Sequence, residues 1–217
     1  MKKITILIPV YNEEKTVSEA IKIVLGLKKI KNKEVIIIDN GSTDRSQEII
    51  KNFKDKSLKI IIRRKNLGYG ATIKQAVKIS KGEYMYIHFS DNEYDIKPIF
   101  RMIKLANKHH LDVVFGSRLK NYTFFKKILL LKKKPSYLGT LIITGLYNIL
   151  YKKKFSDVIG SKFYKVSSLK KIYKSNANHF NYDFILKNRL ISGNFKILEV
   201  FMFFMRVHNR LRYRLLF

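Results

Sequence analysis

Along the first half of this chain, short runs of β-branched residues alternate with segments of helical spacing, and each run ends in a polar cluster. The runs are Ile4–Val10 (ITILIPV), Glu34–Asn40 (EVIIIDN), Leu58–Arg64 (LKIIIRR), Tyr84–Phe89 (YMYIHF) and Asp112–Gly116 (DVVFG). Continuous apolar runs of this length are what strands buried on both faces require. Between them, Val17, Ala20, Ile21, Val24 and Leu27 share one helical face, with Asn12 to Glu14 expected to cap it. Ser42-Thr43-Asp44 is the expected cap ahead of RSQEIIKNF. Further helices are expected over Gly68–Ser80 and Lys97–His109, the latter with Pro98 in its first turn. This alternation predicts an α/β chain with a mostly parallel central sheet flanked by helices.

In open α/β sheets ligands bind beyond the carboxyl ends of the strands, and polar residues gather there. Pro9 to Glu13 follow the first strand, Asp39 to Asp44 the second, Asn66 to Ala71 the third, and Ser90 to Glu93 the fourth. Four such loops on one rim form one site. Asp39 is placed to accept hydrogen bonds from a base N–H, and Gly41 and Gly68 allow a nucleotide to approach the backbone. GxGxxG is absent after the first strand and GxxxxGK[ST] is absent altogether, so a nicotinamide or flavin enzyme and a P-loop NTPase are not expected. Asp91, Glu93 and Asp95 crowd the end of an apolar strand. They read either as a solvated helix cap or as ligands of Mg²⁺ or Mn²⁺, which one or two carboxylates hold together with substrate phosphates.

The chain of 217 residues carries 45 Lys and Arg against 16 Asp and Glu, a net charge of +29. That excess points to an anionic partner: nucleic acid, a phosphorylated substrate or anionic lipid. No helix-turn-helix or RNP pattern is present, so nucleic acid is not expected. Cysteine is absent, which excludes disulfides, thiolate metal sites and a cysteine nucleophile. The N-terminal apolar run meets Asn12-Glu13-Glu14 without a cleavage site, and no stretch reaches about 18 apolar residues, so a cytoplasmic protein is expected. From Phe124 to Phe155 lysine clusters alternate with apolar stretches. This segment reads either as a core helix with basic flanks or as an interfacial helix pair on an anionic bilayer. The basic tail at 206–217 is a candidate second contact. His88 is expected to be a core histidine, and Tyr69, Tyr84 and Tyr86 core or rim residues.

Taken in order, IPVYNEE (8–14), IDNGSTD (38–44), NLGYGA (66–71), SDNEYD (90–95) and GSR (116–118) resemble the family 2 glycosyltransferases of GT-A fold. Within that family the later pattern is similar to the polyprenol-phosphate sugar transferases, such as dolichol-phosphate mannose synthase. It comprises Lys132 with Ser136, SDVIGSKFYK (156–165) with Asp157 and Gly160, and NYDFILKNRLISGNFKILEV (181–200) with Asp183 and Glu199.

The resemblance implies that Pro9, Tyr11, Glu13 and Asp39 hold the base and ribose of a nucleotide diphosphate sugar. Asp91 then corresponds to the second carboxylate of the family's Asp-x-Asp metal motif, with Glu93 where the family often has Gln. The motif's first Asp is Phe89 here, and Phe cannot bind a cation. Either Asp91 and Glu93 hold the metal with the diphosphate, or the site works without one, or activity is lost and the chain binds nucleotide or lipid. Arg118, Lys132 and Ser136 are expected to meet the phosphate of a polyprenyl phosphate acceptor, and transfer to invert the anomeric carbon. A sugar-hydroxyl acceptor needs a carboxylate base instead, for which Asp157 and Asp183 are candidates. Residues 1–123 are then the nucleotide-sugar part, and 124–217, with amphipathic helices, the part facing acceptor and membrane. Peripheral association with the inner face of the plasma membrane follows.

Overall fold

A computed structural model describes residues 3–179 and 181–202 of the chain; the basic tail at 206–217 lies outside the described residues. The first strand, β1 (Ile4–Val10), leads to α1 (Val17–Leu25), then β2 (Lys33–Asp39), α2 (Ser46–Lys51), β3 (Leu58–Ile62) and α3 (Tyr69–Ile79). β4 (Tyr84–Ile87), α4 (Pro98–His109) and β5 (Val113–Ser117) complete the alternating part. A helical hairpin follows, α5 (Phe124–Lys133) and α6 (Tyr137–Tyr151), then β6 (Lys162–Lys165), α7 (Val166–Ile172), α8 (Asn181–Ser192) and β7 (Ile197–Phe201).

These strands form one seven-stranded sheet in the order β3-β2-β1-β4-β6-β5-β7. All pairings are parallel except those of β6, which runs antiparallel between β4 and β5. The period-two rule of strands divides the apolar residues between two cores. Ile4, Ile6 and Ile8 face α1, α2 and α4 together with Val35 and Ile37. Leu7, Ile36, Ile38, Met85 and Ile87 face the other way, against α3, α7 and α8. Tyr84 and Tyr86 are core residues, as expected. His88 is buried too, but neither ring nitrogen has a partner, and burial lowers its pKa to about 4.

Two expected caps differ. Helix α1 begins after Thr16, whose hydroxyl donates to the Glu13 carboxylate at 2.7 Å instead of capping the helix. Asn12 sits in the left-handed region with φ 55° and accepts from Thr43 N–H at 2.8 Å, so it ties the first loop to the second. Ahead of α2 the N–H of Ser46 donates to Asp44 at 3.0 Å, while Ser42 accepts from Asn12 N–H at 2.9 Å. Asp44 thus meets the start of α2 and, by accepting from Glu14 N–H at 3.1 Å, joins Asn12 and Ser42 in tying the two strand-end loops together.

Candidate active site

At the carboxyl ends of the parallel strands lies a cleft of about 430 Å³. One wall is the β1 loop, through Pro9, Tyr11 and Glu13; a second is Asn40, Asn66 and Gly68; a third is Phe89, Ser90 and Asp91, with Tyr69 and His179 closing the remaining side. Of the residues singled out from sequence, Pro9, Tyr11, Glu13, Gly68 and Asp91 line it together.

Asp39 does not line it. Its side chain is fully buried, and its carboxylate accepts from Gly41 N–H and Ser42 N–H, both at 3.1 Å, from Gln47 Nε2 at 2.9 Å and from the Ser42 hydroxyl. In this structure the carboxylate holds the loop that follows it. The two glycines also serve the protein's own backbone. Gly41 has φ 79°, and a Cβ there would lie 2.4 Å from the Lys65 carbonyl carbon; Gly68 has φ 87°, with the Asn178 carbonyl oxygen 2.3 Å from such a Cβ.

Sequence reasoning missed Arg63, which sets the second wall. Its guanidinium donates to Asn40 at 2.7 Å, Thr72 at 3.1 Å, the Ala71 carbonyl at 3.1 Å and Gln75 at 2.6 Å. Asn40 in turn accepts from Leu67 N–H and donates to Asn66 at 2.6 Å. The available signal was an arginine directly after an apolar strand and just before Asn66-Leu67-Gly68. Lys74, also missed, donates to the Ser175 and Ala177 carbonyls and to Asn178, which holds the His179 segment over the cleft.

At the mouth, Asp91 accepts from Glu93 N–H at 3.1 Å. Burial pushes the Asp91 carboxyl above the usual range. Burial does the same to Glu93, reinforced by the negative charges of Asp91 and Glu13 and opposed by the positive charges of Arg118 and Lys134. Among the described residues neither carboxylate makes an ion pair within 4.0 Å, and no group of three or more potential metal ligands exists. Two crowded hard-oxygen donors beside an open cleft fit a divalent cation that takes its remaining ligands from water and phosphate. Phe89, where the family motif has its first Asp, packs in an aromatic row, 6.0 Å from Tyr69 and 6.3 Å from Tyr94 between ring centres.

Beside this mouth the Arg118 guanidinium grips Asp157 through Nε at 2.6 Å and Nη2 at 3.0 Å. The same carboxylate accepts from the N–H groups of Arg118, Ile159 and Gly160. Burial raises its pKa, but Arg118 more than offsets that and holds Asp157 below the usual range. Asp183 lies 2.6 Å from Lys187 and 3.7 Å from Lys162. There too burial is outweighed by the cations, and the pKa is lowered, while burial brings Lys162 down to about 8. A general base works best with a pKa near the operating pH. Asp157 and Asp183, the two candidates for that role, are thus each ion-paired.

Lys132 and Ser136 are exposed, on the α5–α6 hairpin and outside the cleft lining. Arg118 connects to that hairpin from below: Nη2 donates to Thr140 at 3.2 Å and the guanidinium lies 5.0 Å from the Tyr137 ring centre.

Comparison with known proteins agrees with this geometry. The chain matches glycosyl transferase family 2 over residues 5–205 and belongs to that family. It is 31% identical over 118 residues to the poly(ribitol-phosphate) beta-glucosyltransferase of Bacillus spizizenii, covering 52% of this chain and 19% of the relative. It is 25% identical over 134 residues to the dolichol-phosphate mannosyltransferase of Pyrococcus furiosus, covering 58% and 38% respectively. Among solved structures, the glucosyl-3-phosphoglycerate synthase of Mycobacterium tuberculosis in complex with Mn²⁺, UDP and phosphoglyceric acid superimposes with a TM-score of 0.63 at 15% identity, over 95% of this chain and 72% of that one. That likeness establishes the GT-A fold. The chain spans less than two thirds of the length of the curated relatives first matched.

Proposed function

We propose that the protein transfers a sugar from a nucleotide diphosphate sugar to a membrane-associated acceptor, a polyprenyl phosphate, with inversion at the anomeric carbon. The observation that carries this reading is the pairing state of the carboxylates. Asp91 and Glu93 crowd the cleft mouth with no ion pair within 4.0 Å among the described residues, whereas Asp157 and Asp183 are each ion-paired. The first pair suits a cation on a diphosphate. The second pair is poorly suited to deprotonate a hydroxyl, which favours an acceptor already ionised at neutral pH.

In this reading Pro9, Tyr11 and Glu13 flank the base and ribose, and the loop built on Asp39, Gly41 and Gly68 shapes their wall. An acceptor phosphate oxygen forms its bond to the anomeric carbon as the bond from that carbon to the diphosphate breaks, and the nucleoside diphosphate leaves. Asp91 and Glu93 would hold Mg²⁺ or Mn²⁺ together with the diphosphate, and such an ion would neutralise the leaving charge. Arg118 uses Nε and Nη2 on Asp157, which leaves Nη1 to meet the acceptor phosphate. Lys132 and Ser136 extend the acceptor side, with residues 1–123 serving the donor and 124–217 the acceptor. Relatives named as a dolichol-phosphate mannosyltransferase and as a solved complex with UDP and Mn²⁺ support the chemistry. The protein works from the cytoplasm, peripherally attached to the inner face of the plasma membrane.

Incubation with a panel of nucleotide sugars and polyprenyl phosphate, with and without Mn²⁺, tests the reading through release of nucleoside diphosphate and formation of glycosylated lipid. Phe89 supports a second reading, a family member that binds nucleotide without turnover. Calorimetric binding of a nucleoside diphosphate with no product under any condition decides for it.

A further inference from the structure

We infer that the outer face of the α5–α6 hairpin is a docking surface for an anionic lipid bilayer, on which the protein lies without crossing it. Apart from Leu67, every large apolar side chain exposed among the described residues belongs to these two helices. On α6, Leu138, Ile142 and Leu146 are each more than half exposed and Ile149 is 76% exposed; on α5, Phe125 is 69% exposed. The four α6 residues follow helical spacing and form one stripe. The opposite face of α6 is already used: Thr144 accepts from Val158 N–H at 3.2 Å, Tyr147 donates to Asn188 at 2.6 Å, and Thr140 meets Arg118. A Cβ at Gly139 or Gly145 would meet nothing within 4 Å. The inner side of α6 is therefore covered, while the apolar stripe on its outer side is not.

Charge selects the occupant. Between Asp112 and Asp157 the chain has no carboxylate. Lys126, Lys127 and Lys132 to Lys134 accompany α5, and Lys152 to Lys154 end α6. A second copy placed face to face would bring these lysines against one another, whereas an anionic headgroup layer neutralises them while its acyl region covers the stripe. No helix among the described residues is long and apolar enough to cross a membrane. At 15 residues α6 measures roughly 22 Å, short of the hydrocarbon thickness of about 30 Å. Because Thr140 and Tyr137 touch Arg118 from the inner face of this same helix, docking places the acceptor side of the cleft about one helix diameter from the headgroups. The choice of a lipid partner rests on the proposed function; the surface itself does not.

Flotation of the full chain with vesicles of phosphatidylcholine, alone or with about one quarter phosphatidylglycerol, tests the inference. The expected result is binding to the anionic vesicles only, weakened by salt. The triple variant I142S/L146S/I149S is expected to bind them at least tenfold more weakly, and K152Q/K153Q/K154Q also more weakly. Both variants should keep the wild-type melting temperature, since the substituted side chains are exposed. Wild-type strength in both variants, or equal binding to neutral vesicles, overturns the inference. So does a wild-type dimer in lipid-free solution that the serine variant converts to monomer, which assigns the face to self-association. Nucleoside diphosphate titration of the same proteins separates the two proposals. Lost vesicle binding with retained turnover removes only the docking surface; vesicle binding without nucleotide affinity removes the transferase reading.

Discussion

The Arg118 guanidinium and the Asp157 carboxylate form a two-point pair at 2.6 and 3.0 Å, and the backbone N–H of Arg118 donates to the same carboxylate at 3.1 Å. Asp157 is fully buried. Removing one member of a buried pair strands the other, at a cost of about 3–5 kcal/mol. Asp157→Ala is therefore expected to lower the urea midpoint strongly. Arg118→Lys should lose most of the same stability, because an ammonium cannot reproduce the fork. Equilibrium unfolding of both variants checks this, and a loss below about 1 kcal/mol for Asp157→Ala defeats it.

Asp39 is the second test, because its carboxylate is engaged within the protein. A short polar side chain at a strand end reads as a free ligand whose removal leaves stability untouched. With two backbone N–H groups, the Ser42 hydroxyl and the Gln47 amide all donating to it, Asp39→Ala leaves buried donors without an acceptor. The expected cost is about 2–4 kcal/mol. Donor affinity should fall as well, through disorder of the loop. A variant that loses nucleotide affinity while melting at the wild-type temperature assigns Asp39 to direct contact instead.

What was legible in the sequence follows from how local each signal is. Strands β1 and β2 are continuous β-branched runs, so burial on both faces was written in their composition. The tie between the first two loops was not legible because Asn12 meets Ser42 and Thr43, and Glu14 meets Asp44, across about 30 residues, and a local window sees only the helix that follows. Arg63 escaped for the same reason: its side-chain partners are Asn40, just after β2, and Ala71, Thr72 and Gln75 on α3. The ion pairs of Asp157 and Asp183 also join residues whose adjacency exists only after folding. Motif order found the site, but not which of its carboxylates are free.

His88 yields a pH prediction. Burial lowers its pKa from 6.5 to about 4, so the unfolded chain binds a proton that the folded chain refuses. Its contribution to stability is present above about pH 6.5 and is lost as pH falls toward 4, on the order of 2 kcal/mol between pH 7 and 5. Asp91 and Glu93, whose pKa values are raised, act in the opposite direction over the acid range. Comparison with His88→Met isolates the histidine: the variant should lose less stability than wild type between pH 7 and 5. Parallel pH profiles of the urea midpoint defeat the assignment.

Phe89 decides the metal question. Asp91 and Glu93 are the carboxylates the β4 loop brings to the cleft mouth, so Mn²⁺ affinity without nucleotide should be poor and should rise when a diphosphate adds its oxygens. Phe89→Asp places a third carboxylate at the same mouth. It also removes a half-buried ring from the row with Tyr69 and Tyr94, at an expected cost of about 1–3 kcal/mol. Mn²⁺ titration followed by paramagnetic resonance, with and without nucleoside diphosphate, should show tighter metal binding in the variant, most clearly without nucleotide. Turnover should rise with it if metal loading limits the wild type. Equal transfer by the wild type in excess chelator would sink the metal role and leave Arg and Lys side chains to neutralise the leaving group. A wild type that binds neither metal nor donor, beside a variant that gains both, would show that Phe89 marks a lapsed enzyme.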